Sequence, residues 1–133
     1  MAEEKKYKVL VVDDDEFLLN MYSVKFTKSG LDVHTCASSE KALQILKEGF
    51  VPDALVLDIV MPGMDGFELL EKIRADKLAP KVPVLFLTNQ GQSSDIEHAK
   101  KLGAQGYIVK ASTIPSEVLS EVMKYIKEAK ASA

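Results

Sequence analysis

Acidic side chains follow two apolar runs of the sequence. Asp13 and Asp14 come directly after Val9–Val12, and Asp58 comes directly after Ala54–Leu57. Two carboxylates about 5 Å apart repel each other by roughly 3 kcal/mol at an effective dielectric near 20, so three together require a proton or a cation. Carboxylate oxygens are preferred ligands of Mg²⁺, and bound Mg²⁺ can hold a phosphoryl oxygen. If these acids meet in the fold, they predict a magnesium site.

A hydroxyl group and an ammonium group follow two more apolar runs. Thr88 comes after Val82–Leu87, and Lys110 comes after Tyr107–Val109. A carboxylate beside a metal ion can act as a nucleophile and form an acyl phosphate, and Asp58 is the candidate for that role. The Thr88 hydroxyl could then bind a transferred phosphoryl group, and the Lys110 ammonium could neutralise one of its oxygens. A lone threonine at a strand end or a lone lysine is usually structural, so the prediction depends on the whole set.

Helix capping is the structural alternative for the first acids. Asp14 or Asp15 at the start of the first helix would satisfy free backbone N–H groups and favour the helix dipole. One carboxylate is enough for that task, and Asp65 already suits the cap of the third helix, which leaves Asp58 without a structural role. We therefore favour a cation site for Asp13, Asp14 and Asp58.

The apolar runs predict the strands that position these groups. Val9–Val12 and Ala54–Leu57 are apolar on both faces, as in a parallel sheet that is covered on both sides, whereas the mixed run Leu31–Ala37 suits an edge strand. Amphipathic stretches lie between the runs, which predicts five β–α units and an α/β, doubly wound fold of the flavodoxin-like class with a five-stranded parallel sheet. In the usual strand order 2-1-3-4-5 the first and third strands are neighbours, so Asp13 and Asp58 should lie close together.

Helix signals agree with these units. Ser38 or Ser39 suits the N-cap of the second helix, and Asp65 with Glu68 suits a capping box on the third. Glycines stand where helices should stop, as residues in the left-handed conformation do: Gly30, Gly49 and Gly103.

The composition limits the class of protein. The chain has 133 residues and a formal charge of −3, which suits one domain; we place it at residues 7–129, with flexible tails at 1–6 and 130–133. The acidity disfavours binding along a nucleic-acid backbone, and no apolar stretch approaches the roughly 20 residues that span a membrane. The single cysteine, Cys36, cannot form an intrachain disulfide, so we interpret it as a small core residue and expect a cytoplasmic protein.

Several other polar residues are interpreted as structural. His34 in the predicted edge strand is expected to be partly exposed, and His98 to lie on the surface of the fourth helix or in a partner-facing patch. The lysines of the last helix, Lys124, Lys127 and Lys130, are interpreted as a solvated face that favours the helix C-terminus.

Four motifs stand in a fixed order along the chain. They are Asp13-Asp14 after the first apolar run, the segment Leu57–Gly66, Leu87-Thr88, and the segment Gly103–Lys110. Together they resemble the receiver domain of two-component response regulators. The resemblance spans essentially the whole chain, and the four motifs in this order and spacing are far more specific than any one of them.

The resemblance implies a phosphoacceptor domain. Asp58 would accept a phosphoryl group from a sensor histidine kinase or a histidine phosphotransfer protein. Asp14 and Asp58 would bind Mg²⁺ directly, Asp13 would act largely through water, and the backbone carbonyl of Val60 would add a ligand. The only chemistry implied is self-phosphorylation and self-dephosphorylation at Asp58, so the protein is not expected to be an enzyme in the ordinary sense.

The resemblance also implies a switch. Thr88 and Lys110 would bind phosphoryl oxygens, with Thr88 shifting toward the phosphate and Tyr107 turning inward behind it. That movement would bias an existing two-state equilibrium and remodel the surface of the fourth helix, fifth strand and fifth helix for a downstream protein partner. We expect a monomer or a phosphorylation-dependent dimer, with no direct contact with nucleic acid or membrane.

The sequence departs from the family pattern close to these residues. Ala111 follows Lys110, where many receivers have a proline in a cis peptide bond, and Asn89 stands where the family usually has a small residue. Val60 and Gln90 occupy positions that tune dephosphorylation in the family. Because the apolar Val60 side chain cannot orient a water molecule, we predict slow self-dephosphorylation.

A phosphatase is the alternative from a different class. Asp13 and Asp15 form an Asp-x-Asp pair after the first strand, as in haloacid-dehalogenase-type phosphatases, where Asp13 would be phosphorylated and Asp15 would be the acid or base. Phe17 stands where such enzymes normally have Thr or Val, and Asp58 would have no role. A receiver that works without phosphorylation is disfavoured by the complete set of site residues, and an FMN carrier would need a phosphate loop without acids.

Overall fold

Strands and helices alternate along the chain. The structure, a computed structural model, describes residues 6–88, 93–110 and 114–131. The strands are β1 (Lys8–Val12), β2 (Asp32–Cys36), β3 (Ala54–Asp58), β4 (Val84–Thr88) and β5 (Gly106–Val109). The helices are α1 (Glu16–Lys28), α2 (Ser39–Lys47), α3 (Gly66–Ala75), α4 (Ser93–Lys101) and α5 (Pro115–Ala131).

The sheet confirms the predicted architecture. Its five strands are parallel and lie in the order β2-β1-β3-β4-β5. The register aligns the strand ends: Val12 lies opposite Leu57, and Thr88 lies opposite Val109. The carboxyl ends of the strands therefore meet at one edge, where the sequence predicts the polar residues.

The helix boundaries follow local chemistry. Asp65 and Glu68 form the predicted capping box at the start of α3, and the Ser38 hydroxyl caps α2 by accepting the backbone N–H of Lys41. Asp15, rather than Asp14, caps α1, because its carboxylate accepts the N–H groups of the first turn. The glycines predicted to end helices all have positive φ: Gly30, Gly49 and Gly103.

The core lies on both faces of the sheet. Side chains alternate along β1, so that Leu10 and Val12 pack beneath α2 and α3, whereas Val9 and Val11 pack beneath α1 and α5. Each of these four side chains is fully buried, as expected for a strand that is covered on both sides. Cys36 is buried in the same core, which confirms its interpretation, and burial raises the pKa of its thiol.

The last helix extends beyond residue 129, the expected end of the domain. It continues through residues 130 and 131, which the sequence analysis assigned to a tail, and Lys130 Nζ lies 2.7 Å from Asp53 Oδ1. Residues 1–5, 132 and 133 lie outside the described part of the chain. None of the helices in that described part combines the length and the apolar character needed to cross a membrane.

Candidate functional site

The structure gathers the predicted residues at the carboxyl edge of the sheet. Asp13 directly follows β1, Asp58 and Thr88 are the last residues of β3 and β4, and Lys110 directly follows β5. Four separate strands therefore each place a polar side chain at this edge, because all carboxyl ends of a parallel sheet lie at the same edge.

Three carboxylates form the centre of this edge. Asp13, Asp14 and Asp58 each offer an oxygen, and these oxygens all lie within 4.8 Å of one another. Asp13 is fully buried, Asp58 is 4% exposed, and Asp14 is exposed to solvent. Asp13 is held in place because its Oδ1 accepts the backbone N–H of Asp15 at 2.9 Å.

Lys110 lies between the two buried carboxylates. Its Nζ is 2.6 Å from Asp13 Oδ2 and 3.2 Å from Asp58 Oδ1. Burial on its own lowers the pKa of Lys110, but the hydrogen bond to Asp13 and the charge of Asp58 outweigh it and raise that pKa. One cation thus faces two buried anions, and a third carboxylate lies at the rim.

The charge imbalance affects the pKa of the Asp58 carboxyl group. Burial, with the negative charge of Asp13, raises its pKa from 3.8 to about 7, even though Lys110 acts in the opposite direction. A pKa this high means that the surrounding protein compensates the negative charge of the Asp58 carboxylate only in part.

Thr88 and Tyr107 are connected within the site. Thr88 is buried at the end of β4, and its side chain shares a hydrogen bond with that of Tyr107 on β5. Burial raises the pKa of the Tyr107 hydroxyl, and the hydrogen bond with Thr88 works against that rise. The two residues predicted to move together are therefore in direct contact.

Comparison with known proteins identifies the family. Residues 9–123 match the family model of the response regulator receiver domain. The chain belongs to this family. It is accordingly a receiver domain of the two-component response regulators, and its curated relatives are regulators.

The relatives of this receiver domain support the assignment. It is 34% identical over 126 residues to the alkaline phosphatase synthesis transcriptional regulatory protein PhoP of Bacillus subtilis (strain 168), a match that covers 95% of this chain and 51% of that protein. The chain spans about half the length of the curated relatives it matches.

Solved structures show the same fold. A CheY-like receiver domain protein of Methanospirillum hungatei JF-1 has a TM-score of 0.88 and 26% identity, with 97% of this chain and all of that chain covered. The chemotaxis protein CheY4 of Vibrio cholerae has a TM-score of 0.84 and 29% identity, with 91% of this chain and 99% of that chain covered.

The acidic cluster of the receiver domain suits a hard divalent cation. The facing donors are carboxylate oxygens, which Mg²⁺ prefers. The buried oxygen Asp13 Oδ2 lies 2.6 Å from Lys110 Nζ, and it has no further partner among the described residues. Asp13, Asp14 and Asp58 could therefore hold Mg²⁺, and the bound ion would offset their excess negative charge.

Val60 lies two residues after Asp58 and is 74% exposed. Because its side chain is apolar and has no ligand atom, only its backbone carbonyl could contribute to a metal site. Asn89, Gln90 and Ala111, at which the sequence departs from the family pattern, lie outside the described residues.

Two residues that position the loop after Asp58 were missed by the sequence analysis. The buried hydroxyl of Ser39, interpreted only as a possible cap, donates to the Met64 carbonyl at 2.8 Å and so attaches the loop to α2. At Gly66 an added Cβ would overlap the backbone carbonyl oxygen of Asp58 and lie 3.0 Å from Ile59 Cα. The only sequence signals were a second serine beside a cap and a glycine at the start of a helix.

The arrangement does not favour the phosphatase alternative. That reaction requires the Asp15 carboxylate as an acid or base, but Asp15 Oδ1 accepts the N–H groups of Phe17 at 3.0 Å and Leu18 at 3.3 Å. The phosphatase reaction also leaves Asp58 without a role, although Asp58 lies in the same cluster and pairs with Lys110.

Removal of the Asp58 charge is expected to stabilise the metal-free domain. Because the folded-state pKa of Asp58 is raised from 3.8 to about 7, the folded state binds the extra proton, and stability falls as the pH rises through that window. Asp58→Asn leaves Lys110 paired with Asp13 alone and should raise the free energy of unfolding at pH 8 by about 2 kcal/mol. Urea unfolding in EDTA measures the change, which should shrink toward pH 5; an equal or lower stability of the variant at pH 8 would contradict the prediction.

Proposed function

We propose that this receiver domain accepts a phosphoryl group on Asp58 from a sensor histidine kinase or a histidine phosphotransfer protein, with Mg²⁺ as cofactor. The observation that carries the proposal is the set of three carboxylates within 4.8 Å of one another, two of them joined by the Lys110 ammonium. Such a set combines a nucleophile, a metal site and a cation for a phosphoryl oxygen.

The transfer uses one oxygen of Asp58 as the nucleophile. This oxygen attacks the phosphorus of the donor phosphohistidine, the P–O bond forms as the P–N bond breaks, and the imidazole nitrogen leaves with the electron pair and takes up a proton. Lys110 then exchanges part of its contact with Asp58 Oδ1 for a phosphoryl oxygen. The Thr88 hydroxyl, at the end of the neighbouring strand, binds a second oxygen.

The metal would be held by groups already near the nucleophile. Asp14 and Asp58 would bind Mg²⁺ directly, Asp13 would act largely through water, and the Val60 carbonyl would complete the set. When bound, the ion neutralises negative charge on the phosphoryl oxygens and on the carboxylates. Lys110 keeps Asp13 and Asp58 close enough to share it.

The output of the domain would pass through Thr88 and Tyr107. Movement of Thr88 toward the phosphoryl group breaks its hydrogen bond with Tyr107, frees that ring to turn inward, and changes the surface of α4, β5 and α5. A downstream protein would recognise this surface, and the net charge of −3 disfavours direct binding to nucleic acid. We place the domain in the cytoplasm, as a monomer or a phosphorylation-dependent dimer.

Phosphorylation with a small donor tests the proposal. Wild-type protein incubated with Mg²⁺ and acetyl phosphate should gain one phosphoryl group by intact mass, whereas Asp58→Asn should gain none. Asp15→Asn is the matched control, because asparagine caps a helix as well as aspartate does and should leave the reaction intact. If Asp58→Asn reacts as well as wild type, the proposal fails; if only Asp15→Asn loses the reaction, the phosphatase alternative is supported.

The side chain of Val60 predicts a long-lived acyl phosphate. Because this exposed apolar side chain cannot orient a water molecule, the phosphoryl half-life of purified wild type should exceed a minute. Val60→Asn offers an amide for that water and should speed dephosphorylation roughly tenfold. Val51→Asn, at another exposed valine, is the control; a wild-type half-life below a minute would disprove the prediction.

A further inference from the structure

Few side chains hold helix α4 against the rest of the domain. Among residues 94–101, whose burial is described, Ala99 is the one buried side chain, and Ile96 is half-buried. His98 is exposed, yet its ring stacks on Phe67 of α3 with centroids 4.1 Å apart and planes 26° apart. The His98–Phe67 stack is therefore one of the contacts that hold α4 against α3.

Phe67 connects this stack to the strands that carry the switch residues. It is 7% exposed and packs against Phe86 of β4, with ring centroids 5.0 Å apart. Phe86 lies two residues before Thr88 and pairs with Tyr107 in the sheet register. A displacement of the Phe67 ring would therefore disturb the strand pair that bears Thr88 and Tyr107.

Phe67 also directly follows a residue that lies close to the backbone of the phosphoacceptor. It directly follows Gly66, whose N–H donates to the Ile59 carbonyl at 2.8 Å and whose Cα lies against the Asp58 carbonyl. The backbone there leaves no room for a methyl group, so Phe67 cannot shift far without moving the chain next to Asp58. Phe67 is thus linked to the acceptor segment through the backbone of Gly66, and its ring stacks on His98 of α4.

We propose that the His98–Phe67 stack couples the acceptor site to the position of α4 and opposes the switch. The stack stabilises the arrangement in which Thr88 is hydrogen-bonded to Tyr107, so it adds to the free energy needed for Thr88 to bind a phosphoryl oxygen instead. This inference rests on the function proposed for Asp58. His98 is a positioning residue in this account, because it acts through Phe67 and not on the reacting atoms.

Two measurements on His98→Ala test the coupling. In the unmodified protein, hydrogen exchange of the α4 amides should become about threefold to tenfold faster, as loss of an aromatic pair predicts, while exchange in β1 and β3 stays unchanged. With Mg²⁺, beryllofluoride should bind tighter by a similar factor, because the arrangement that competes with binding has lost its stabilisation.

Matched variants separate the stack from other effects. His98→Phe keeps a ring over Phe67 and should behave as wild type, and Lys101→Ala tests an exposed position on the same helix. Alanine has a higher helix propensity than histidine, so faster exchange in His98→Ala cannot come from a weaker helix.

The possible outcomes decide the proposal. Faster exchange with unchanged beryllofluoride affinity would make the stack merely structural and overturn the coupling, and so would unchanged values of both. If beryllofluoride binds wild type but His98→Phe behaves like His98→Ala, the ring stack is not the cause and the inference also fails. If beryllofluoride binds no variant, wild type included, the function proposed for Asp58 fails and the coupling fails with it.

Discussion

Replacement of Lys110 by methionine is expected to lower the free energy of unfolding of the metal-free domain at pH 8 by about 3 kcal/mol, the scale for breaking a buried ion pair. The Lys110 ammonium lies 2.6 Å from Asp13 Oδ2 and 3.2 Å from Asp58 Oδ1, and its side chain is 9% exposed. Methionine retains an unbranched apolar stem but leaves the two buried carboxylates without that cation. Urea unfolding in EDTA measures the loss.

The loss should depend on pH in a defined direction. The pKa of Asp58 is already raised to about 7, first by burial and then by Asp13, and removal of Lys110 raises it further. Below that pKa the folded variant binds a proton on Asp58, so its stability should recover as the pH falls from 8 toward 6. Adding Asp58→Asn to Lys110→Met should restore most of the stability at pH 8, because a single carboxylate then remains buried.

A second lysine offers a control with the same chemical change. Lys130 Nζ lies 2.7 Å from Asp53 Oδ1, almost the same separation, but its side chain is half exposed. Lys130→Met should cost less than about 1 kcal/mol, because solvent screens this pair. Equal losses for the two variants would show that burial of the acidic cluster is not the cause and would contradict the prediction.

The strands and their order could be predicted because they depend on local patterns. Val9–Val12 and Ala54–Leu57 are apolar on both faces, which is typical of strands covered on both sides of a sheet. The same argument predicts which residues reach the carboxyl edge, since Asp13 and Asp58 follow these runs directly. The bounds were less certain: β4 begins at Val84 and not at Val82, because Pro83 lacks the N–H that a sheet requires.

Contacts between distant segments could not be predicted in the same way. Lys110 was expected to bind a phosphoryl oxygen, but no pattern indicated that it also joins Asp13 and Asp58, which are 97 and 52 positions earlier in the chain. Lys130 was interpreted as part of a solvated face, yet it pairs with Asp53. Each contact depends on how strands and helices pack, and an isolated lysine in the sequence carries no sign of its partner.

The metal-binding and phosphoryl-transfer roles remain predictions for a related reason. The structure places the carboxylates of Asp13, Asp14 and Asp58 together, as the sequence predicts. Lys110 alone, however, already neutralises part of their negative charge. What separates a structural ion pair from a reactive site is the response to Mg²⁺ and to a phosphoryl donor, which the Asp58→Asn experiment measures.

Replacement of Gly66 by alanine is expected to destabilise the domain by about 3 kcal/mol, near the upper end for an overpacked site. The φ angle of Gly66 is not in the left-handed region, so the backbone itself would accept alanine. The space around Gly66 would not accommodate alanine, because the new Cβ would overlap the Asp58 carbonyl oxygen and lie 3.0 Å from Ile59 Cα. These are backbone atoms, so relief requires that the end of β3 or the start of α3 move.

That movement should impair the site as well as the stability. The shift would displace Asp58 relative to Lys110, so we expect acetyl phosphate to modify Gly66→Ala at least tenfold more slowly than wild type, since an error of about 1 Å in a reacting group has large effects on rate. Gly49→Ala is the control: its φ is +105° with open space around it, so alanine there should cost about 1 kcal/mol through backbone strain and leave the reaction unchanged. A Gly66→Ala protein with wild-type stability and rate would show that the approach of α3 to Asp58 is not needed to position the acceptor.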